Sequence, residues 1–245
     1  MLGSEEAFFK PERFVWPAAG QPDRPLAGLT MLVVEDSRYA SEALRLLCLR
    51  SGARIRRADT LKAAMRHLQT YRPGALMVDM GLPDGDGAEL IRTLADTAPR
   101  VPVLIGISGD PENQETAMQA GADAFLAKPI ESLALFQQTV LNALPPQERP
   151  RGLRLISNDT VSPDSTALCD DLMHAADVLA HSRDTATLDY IARFLAGVAR
   201  SAHDPTLEAA AFSLTRDRHD GPRTASNLAR ISGLVEDRLA TARHV

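Results

Sequence analysis

Between Leu29 and Leu144, short apolar runs alternate with segments whose apolar positions recur every three or four residues. Met31-Leu32-Val33-Val34 is a compact run that ends on Glu35-Asp36. Ser37 then predicts a helix N-cap, and Ala40, Ala43-Leu44, Leu47 and Leu49 fall at helical spacing until Gly52. Ala53–Ala58 reads as a weaker strand, and Thr60 caps a helix through about Tyr71 that carries Leu61, Ala64-Met65 and Leu68. After the break at Pro73-Gly74, the run Ala75–Val78 delivers Asp79. Gly87–Thr97 is the third helix and Val101–Ile107 the fourth strand, ending on Ser108-Gly109. Asp110-Pro111 predicts a helix start, with a cap and then proline in the first turn, running to about Ala120 before Gly121. Ala124–Ala127 is the fifth strand, ending on Lys128-Pro129, and a last helix covers about Ser132 to Leu144. Five short apolar strands, each followed by a helix, predict an α/β fold: a doubly wound five-stranded parallel sheet covered on both faces. In such sheets the chemistry gathers at the carboxyl ends of the strands. The polar residues there are Glu35, Asp36, Asp79, Ser108 and Lys128.

The pattern changes on either side of that unit. Residues 1–28 read as an arm, broken by Pro11, Pro17, Pro22 and Pro25 but holding Phe8, Phe9, Phe14 and Trp16, which suit a docking segment. Residues 145–164 read as a linker that opens on the stiff run Pro145-Pro146-Gln147-Glu148-Arg149-Pro150. From 165 to 245 the apolar positions form four helical stripes: Leu168, Leu172, Ala175, Leu179; Leu188, Ile191, Leu195, Val198; Leu207, Ala211, Leu214; and Leu228, Ile231, Val235, Leu239. Breaks fall at Asp204-Pro205 and Gly221-Pro222, so an all-α C-terminal bundle is expected.

Composition adds exclusions. With aromatics at 4%, the cores must be built from aliphatics and alanine. A net charge of −5 offers no general attraction for nucleic acid or an anionic membrane, and no apolar run is long enough to span one. Cys48 and Cys169 sit far apart in helical patterns and read as reduced core thiols, which fits a cytoplasmic protein. The N-terminus lacks the basic-then-apolar layout of a secretion signal.

Three carboxylates held together repel one another, and a hard divalent cation such as Mg2+ relieves that repulsion through oxygen ligands. A carboxylate can also act as a nucleophile and form an acyl phosphate, with Lys128 adding positive charge and the Ser108 hydroxyl a hydrogen-bond donor for phosphate oxygens. Asp84-Gly85-Asp86-Gly87 resembles the start of a calcium loop, but the next liganding position is Ala88 and the glycine position Glu89, so it fails. Nor does it fit an aspartyl-phosphate hydrolase, because Leu82-Pro83 separates it from the strand that ends on Asp79. Asp84 and Asp86 are therefore read as turn residues.

Residues 29–144 resemble the receiver domain of bacterial two-component response regulators. The resemblance rests on Glu35-Asp36 after the first strand, Asp79 followed by Leu82-Pro83 and Gly87, Ser108 after the fourth strand, Phe125 in the fifth and Lys128-Pro129 after it. It implies that Asp79 is a phosphoacceptor served by a sensor histidine kinase or a histidine phosphotransfer protein. Mg2+ would be held by Asp36, by Asp79 and by the backbone carbonyl of Gly81, with Glu35 assisting through water. Ser108 and Lys128 would bind the phosphoryl group, Ser108 and Phe125 would form the switch pair, and the bond before Pro129 would be cis. A phospho-accepting signalling protein rather than an enzyme is expected.

The second half is quieter. Thirteen acids oppose its eleven arginines, a net of −2, and no lysine follows Lys128, so nucleic acid is an unfavoured partner; a DNA-binding output through the C-terminal helices stays as the alternative, since eleven arginines could cluster on one face. A histidine phosphotransfer bundle would need an exposed His with Lys and Gly at the third and fourth positions after it. His174, His181, His203 and His219 all lack that pattern. The stretch Leu207–Arg218 with Thr224–Arg238 resembles a degenerate version with its histidine lost. The leading expectation is a helical interaction or dimerisation module controlled from Asp79, with a homodimer as one outcome.

Overall fold

In the computed structural model, residues 22–150, 155–182, 184–217 and 221–242 are described. The aromatic cluster of the arm and His219 lie outside them. Five strands form one parallel sheet: β1 (Thr30–Val34), β2 (Arg54–Ala58), β3 (Ala75–Asp79), β4 (Val103–Ser108) and β5 (Ala124–Ala127), in the spatial order β2-β1-β3-β4-β5. Helices α1 (Arg38–Ser51), α2 (Leu61–Thr70), α3 (Gly87–Ala95), α4 (Asn113–Gln119) and α5 (Leu133–Ala143) cover its two faces.

Side chains alternate along each central strand, so one strand feeds two cores. Met31, Val33, Met77, Ile105 and Ile107 pack with Leu44 and Leu47 of α1 and Phe136 and Val140 of α5. Leu32, Val34, Leu76, Val78 and Leu104 pack on the other side with Ala64, Leu90, Ile91 and Ala117. That two-sided burial is why these runs read as continuous apolar stretches. The edge strand β2 exposes Arg54, Arg56 and Arg57, charges that discourage edge-to-edge pairing. Leu26, in the segment read as an arm, and Val161, in the segment read as a linker, are both buried in the α1–α5 core. Thr160 bridges to Ser132, and the Val161 amide donates to the Glu131 carbonyl, so the chain beyond residue 154 returns to the sheet domain before leaving it.

The helix starts follow local chemistry. Ser37, Thr60 and Ser132 accept from the amides of Ala40, Ala63 and Leu135. The expected start at Asp110-Pro111 falls early: α4 begins at Asn113. Ser108 Oγ accepts from the Asp110 amide and from Asn113 Nδ2, and Asp110 Oδ1 accepts from the Glu112 amide, which folds these residues into a turn ahead of the helix. Asp84 and Asp86 do more than close a turn. Asp86 caps α3 through the Ala88 amide, and Asp84 accepts from the amides of Leu61 and Lys62 at 2.8 and 2.9 Å, completing the start of α2 from a distant loop.

Gly87 lies where α3 passes the end of β3, and a Cβ there would collide with the backbone carbonyl of Asp79. Gly87→Ala should therefore displace Asp79 and destabilise the chain by about 1–3 kcal/mol. Urea unfolding checks this, and an unchanged midpoint would contradict the contact.

Beyond residue 164 stand α6 (Ser165–His181), α7 (Thr185–Ser201), α8 (Pro205–Arg216) and α9 (Gly221–Ala242). Leu172, Ala175, Leu179, Ile191, Leu195, Val198, Leu207, Ala211, Leu214, Ile231 and Val235 form their common core, which is the interior that the four stripes anticipate. Asp164, Asp184 and Asp204 cap α6, α7 and α8.

Candidate functional site

The ends of β1, β3 and β5 bring Glu35, Asp36, Asp79 and Lys128 to one place. One oxygen from each of the three acids lies within 4.8 Å of the others. Lys128 Nζ stands 2.6 Å from Glu35 Oε2 and 2.9 Å from Asp79 Oδ2, and all three side chains are almost wholly enclosed. The Gly81 amide donates to Asp79 Oδ1 at 3.3 Å, and the Ser37 amide to Asp36 Oδ1 at 3.1 Å. The Lys128–Pro129 bond is cis, and so is Ala98–Pro99. Ser108 is buried at the end of β4, beside the same cavity as Asp79. Phe125 packs next to Gly106, whose lack of a side chain leaves room for the ring and for Ala117 of α4.

One ammonium faces three carboxylates, and the protonation equilibria reflect it. Burial pushes Glu35 well above the usual carboxylate range, against the pull of Lys128. Burial and the Asp79 charge raise Asp36 to about 6. Burial opposes the charge on Lys128, but Asp79 and Glu35 outweigh it and hold the ammonium above its ordinary value. Glu35 Oε2 has no hydrogen bond beyond the ion pair with Lys128. The donor set is all oxygen and deficient in positive charge, which is what a hard divalent cation requires.

The C-terminal bundle sits directly on this site. Asp171 of α6 is buried and accepts from Ser37 Oγ at 2.7 Å, the Arg38 amide at 2.8 Å and the Tyr39 amide at 3.0 Å. It thus caps α1 from another domain, where the helix start favours a negative charge. Burial pushes the Asp171 carboxyl up, while its three donors pull it back. Arg38 pairs with Asp170, and His203 with Glu131. Tyr190 of α7 donates its hydroxyl to Asp36 Oδ2 at 2.7 Å, and burial together with the Asp36 charge keeps that phenol neutral. A cavity of about 840 Å3 remains between the two parts, lined by Asp79, Ser108 and Lys128 on one side and by Tyr190, Arg193 and Arg200 on the other.

Residues 31–139 match the family described as "Response regulator receiver domain". Residues 31–139 are a receiver domain. The chain is 33% identical over 100 residues to the KDP operon transcriptional regulatory protein KdpE of Escherichia coli, a match covering 41% of this chain and 44% of that protein. It is 30% identical over 134 residues to response regulator MprA of Mycobacterium avium, covering 54% and 59%. The chain therefore matches about half the length of these curated relatives. Among solved structures, the receiver domain of a signal transduction histidine kinase from Syntrophus aciditrophicus aligns at 25% identity and TM-score 0.45, covering 53% of this chain and 99% of that one. The receiver domain of a sensor histidine kinase from Pseudomonas aeruginosa, described with magnesium coordinated in its active site cleft, aligns at 27% identity and TM-score 0.42, covering 46% and 95%.

Of the residues named from sequence, Glu35, Asp36, Asp79, Gly81, Ser108 and Lys128 line the same cavity, whereas Phe125 packs against the sheet core beside Gly106. The sequence reading missed the second wall: Asp171, Tyr190, Arg193 and Arg200. No local signal marks Asp171, which is one of two adjacent acids beside an apolar stripe. On α7, Arg193, Ala196 and Gly197 stand at the spacing of the phosphotransfer pattern, and of the three only Gly197 has the residue type that pattern asks for.

Proposed function

We propose that the protein is a phosphorelay acceptor in which the Asp79 carboxylate attacks the phosphorus of a phosphohistidine on a sensor kinase or phosphotransfer protein. The new bond is an acyl phosphate P–O bond, the donor's P–N bond breaks, and its electrons return to the imidazole. The observation that supports this most is Lys128 bridging Asp79 and Glu35, with Asp36 and Ser108 at the same opening. Asp36, Asp79 and the Gly81 carbonyl would hold Mg2+, with Glu35 acting through water. A cation bound there would neutralise the oxygens of the transferring group. Lys128 and the Ser108 hydroxyl then meet the phosphoryl oxygens, and Ser108 and Phe125 carry the change to the α4–β5–α5 face. The chain acts as a signalling acceptor rather than a turnover enzyme, and the α6–α9 bundle is its interaction module.

The relative named as a transcriptional regulatory protein weakens the expectation that nucleic acid is no partner. Retardation of DNA by the phosphorylated chain, falling with added salt, would favour that second reading. The primary test is labelling by radioactive acetyl phosphate with Mg2+. The native chain is expected to take an acid-stable, base-labile label, and Asp79→Asn none. A label that persists in that variant would sink the assignment.

A further inference from the structure

Helix α7 has two working faces. Ile191, Leu195 and Val198 point into the bundle core. Ala186, Tyr190, Arg193, Gly197 and Arg200 recur at steps of four, three, four and three, and all line the cavity opposite Asp79. The helix is fixed at both ends of that face. Tyr190 bonds Asp36 at 2.7 Å on the acid side. Arg200 packs its guanidinium against Gly109, where any Cβ would collide. Arg200 is itself held by Glu208 at 2.8 Å and lies over the Phe212 ring. The ten residue steps from Tyr190 to Arg200 span about 15 Å of helix, and α7 therefore lies across the mouth of the site with Arg193 and Gly197 in the middle.

A histidine carried on another protein's helix must reach Asp79 through that same mouth. With Tyr190 hydrogen-bonded to Asp36, α7 already stands over that approach. The middle of α7 also carries the spacing expected of a donor helix, but with Arg193 for the histidine and Ala196 for the lysine. Gly197 stays, and a Cβ there would meet nothing within 4 Å. Its smallness thus answers no contact within the chain and keeps the space before Asp79 open.

We propose that α7 occupies the docking place of a helix-borne phosphodonor, with Arg193 standing where the donor histidine would stand. The proposal rests on Asp79 being the phosphoacceptor. In the closed arrangement, small phosphodonors enter the cavity of about 840 Å3, whereas a protein donor must first displace α6 and α7. The face it competes for is built from Asp36, the capped start of α1 and the loop at Gly109. The partner that fits is a helical protein presenting a phosphohistidine, which the bundle imitates without its chemistry.

The test restores that chemistry in the full chain. Arg193→His combined with Ala196→Lys is labelled by radioactive acetyl phosphate and Mg2+. An imidazole nitrogen at position 193 would attack the phosphorus on Asp79; the P–N bond forms, the acyl P–O bond breaks, and its electrons return to the Asp79 carboxylate. The expected result is a base-stable, acid-labile label beside the acyl phosphate, with a yield independent of protein concentration and lost when Asp79→Asn is added. Adding Asp171→Ala and Tyr190→Phe should lower the base-stable label several-fold while the acyl phosphate remains. A double variant that carries only the acyl phosphate overturns the docking proposal, and so does transfer that rises with protein concentration. A native chain that takes no label overturns the Asp79 reading instead.

Discussion

Lys128→Met is expected to destabilise the protein by about 3–5 kcal/mol at pH 8, because removing one partner of a buried ion pair leaves the other uncompensated. Lys128 Nζ contacts both Glu35 at 2.6 Å and Asp79 at 2.9 Å, and the Glu35 side chain is 1% exposed, so water cannot replace the ammonium. The sign of the pH dependence separates charge from packing. Burial already holds Glu35 well above its ordinary value, and losing Lys128 raises it further. A carboxyl raised in the folded state contributes stability fully present below its unfolded pKa and lost as pH rises through the folded one. The penalty should therefore be small near pH 4 and grow towards pH 8, where Glu35 must stay ionised or take up a proton against the solvent. Urea unfolding of the native chain and the variant at both pH values measures it. A penalty equal at both would show that methylene packing, not charge, is what Lys128 contributes.

The sheet domain is legible in sequence because its physics is local and repeated. Val33 and Val34 face opposite cores, so β1 reads as an unbroken apolar run; Ser37 and Thr60 cap within three residues of themselves. The acids, Ser108 and Lys128 follow from the same pattern, since each lies at the carboxyl end of an apolar strand. The α4 start is less legible because it depends on Ser108 gathering Asp110 and Asn113 into a local turn, which a cap-then-proline rule does not contain.

Contacts between the two parts were beyond such reading. Asp171 caps a helix 132 to 134 residues away in the chain, and Tyr190 meets an acid 154 residues away. Neither leaves a trace at its own position, because an acid beside Leu172 and a tyrosine beside Ile191 look like the polar edge of an amphipathic helix. The bundle could be foreseen from Leu195 and Val198, but the face it turns to the receiver could not. The spacing from Arg193 to Gly197 matches the phosphotransfer pattern, but no histidine marks it.

Asp36 should make the protein's response to Mg2+ depend on pH. Burial and the neighbouring Asp79 charge raise its carboxyl to about 6, against roughly 3.9 unfolded. With chelator present, the associated stability is complete below about pH 4 and is lost as pH rises through 6, a change on the order of 3 kcal/mol. Mg2+ would return it by favouring the ionised acid, so the rise in urea midpoint on adding Mg2+ should be larger at pH 7.5 than at pH 5. Asp36→Asn removes the repelled charge yet keeps an oxygen to accept from Tyr190. In chelator at pH 7.5 this variant should be more stable than the native chain by about 3 kcal/mol, and Mg2+ should shift it little. If the variant gained no stability in chelator and still responded fully to Mg2+, Asp36 would be neither the strained acid nor a ligand. If the gain appeared only when Tyr190→Phe was also present, the Tyr190 hydroxyl, rather than a cation, would be what offsets the Asp36 charge.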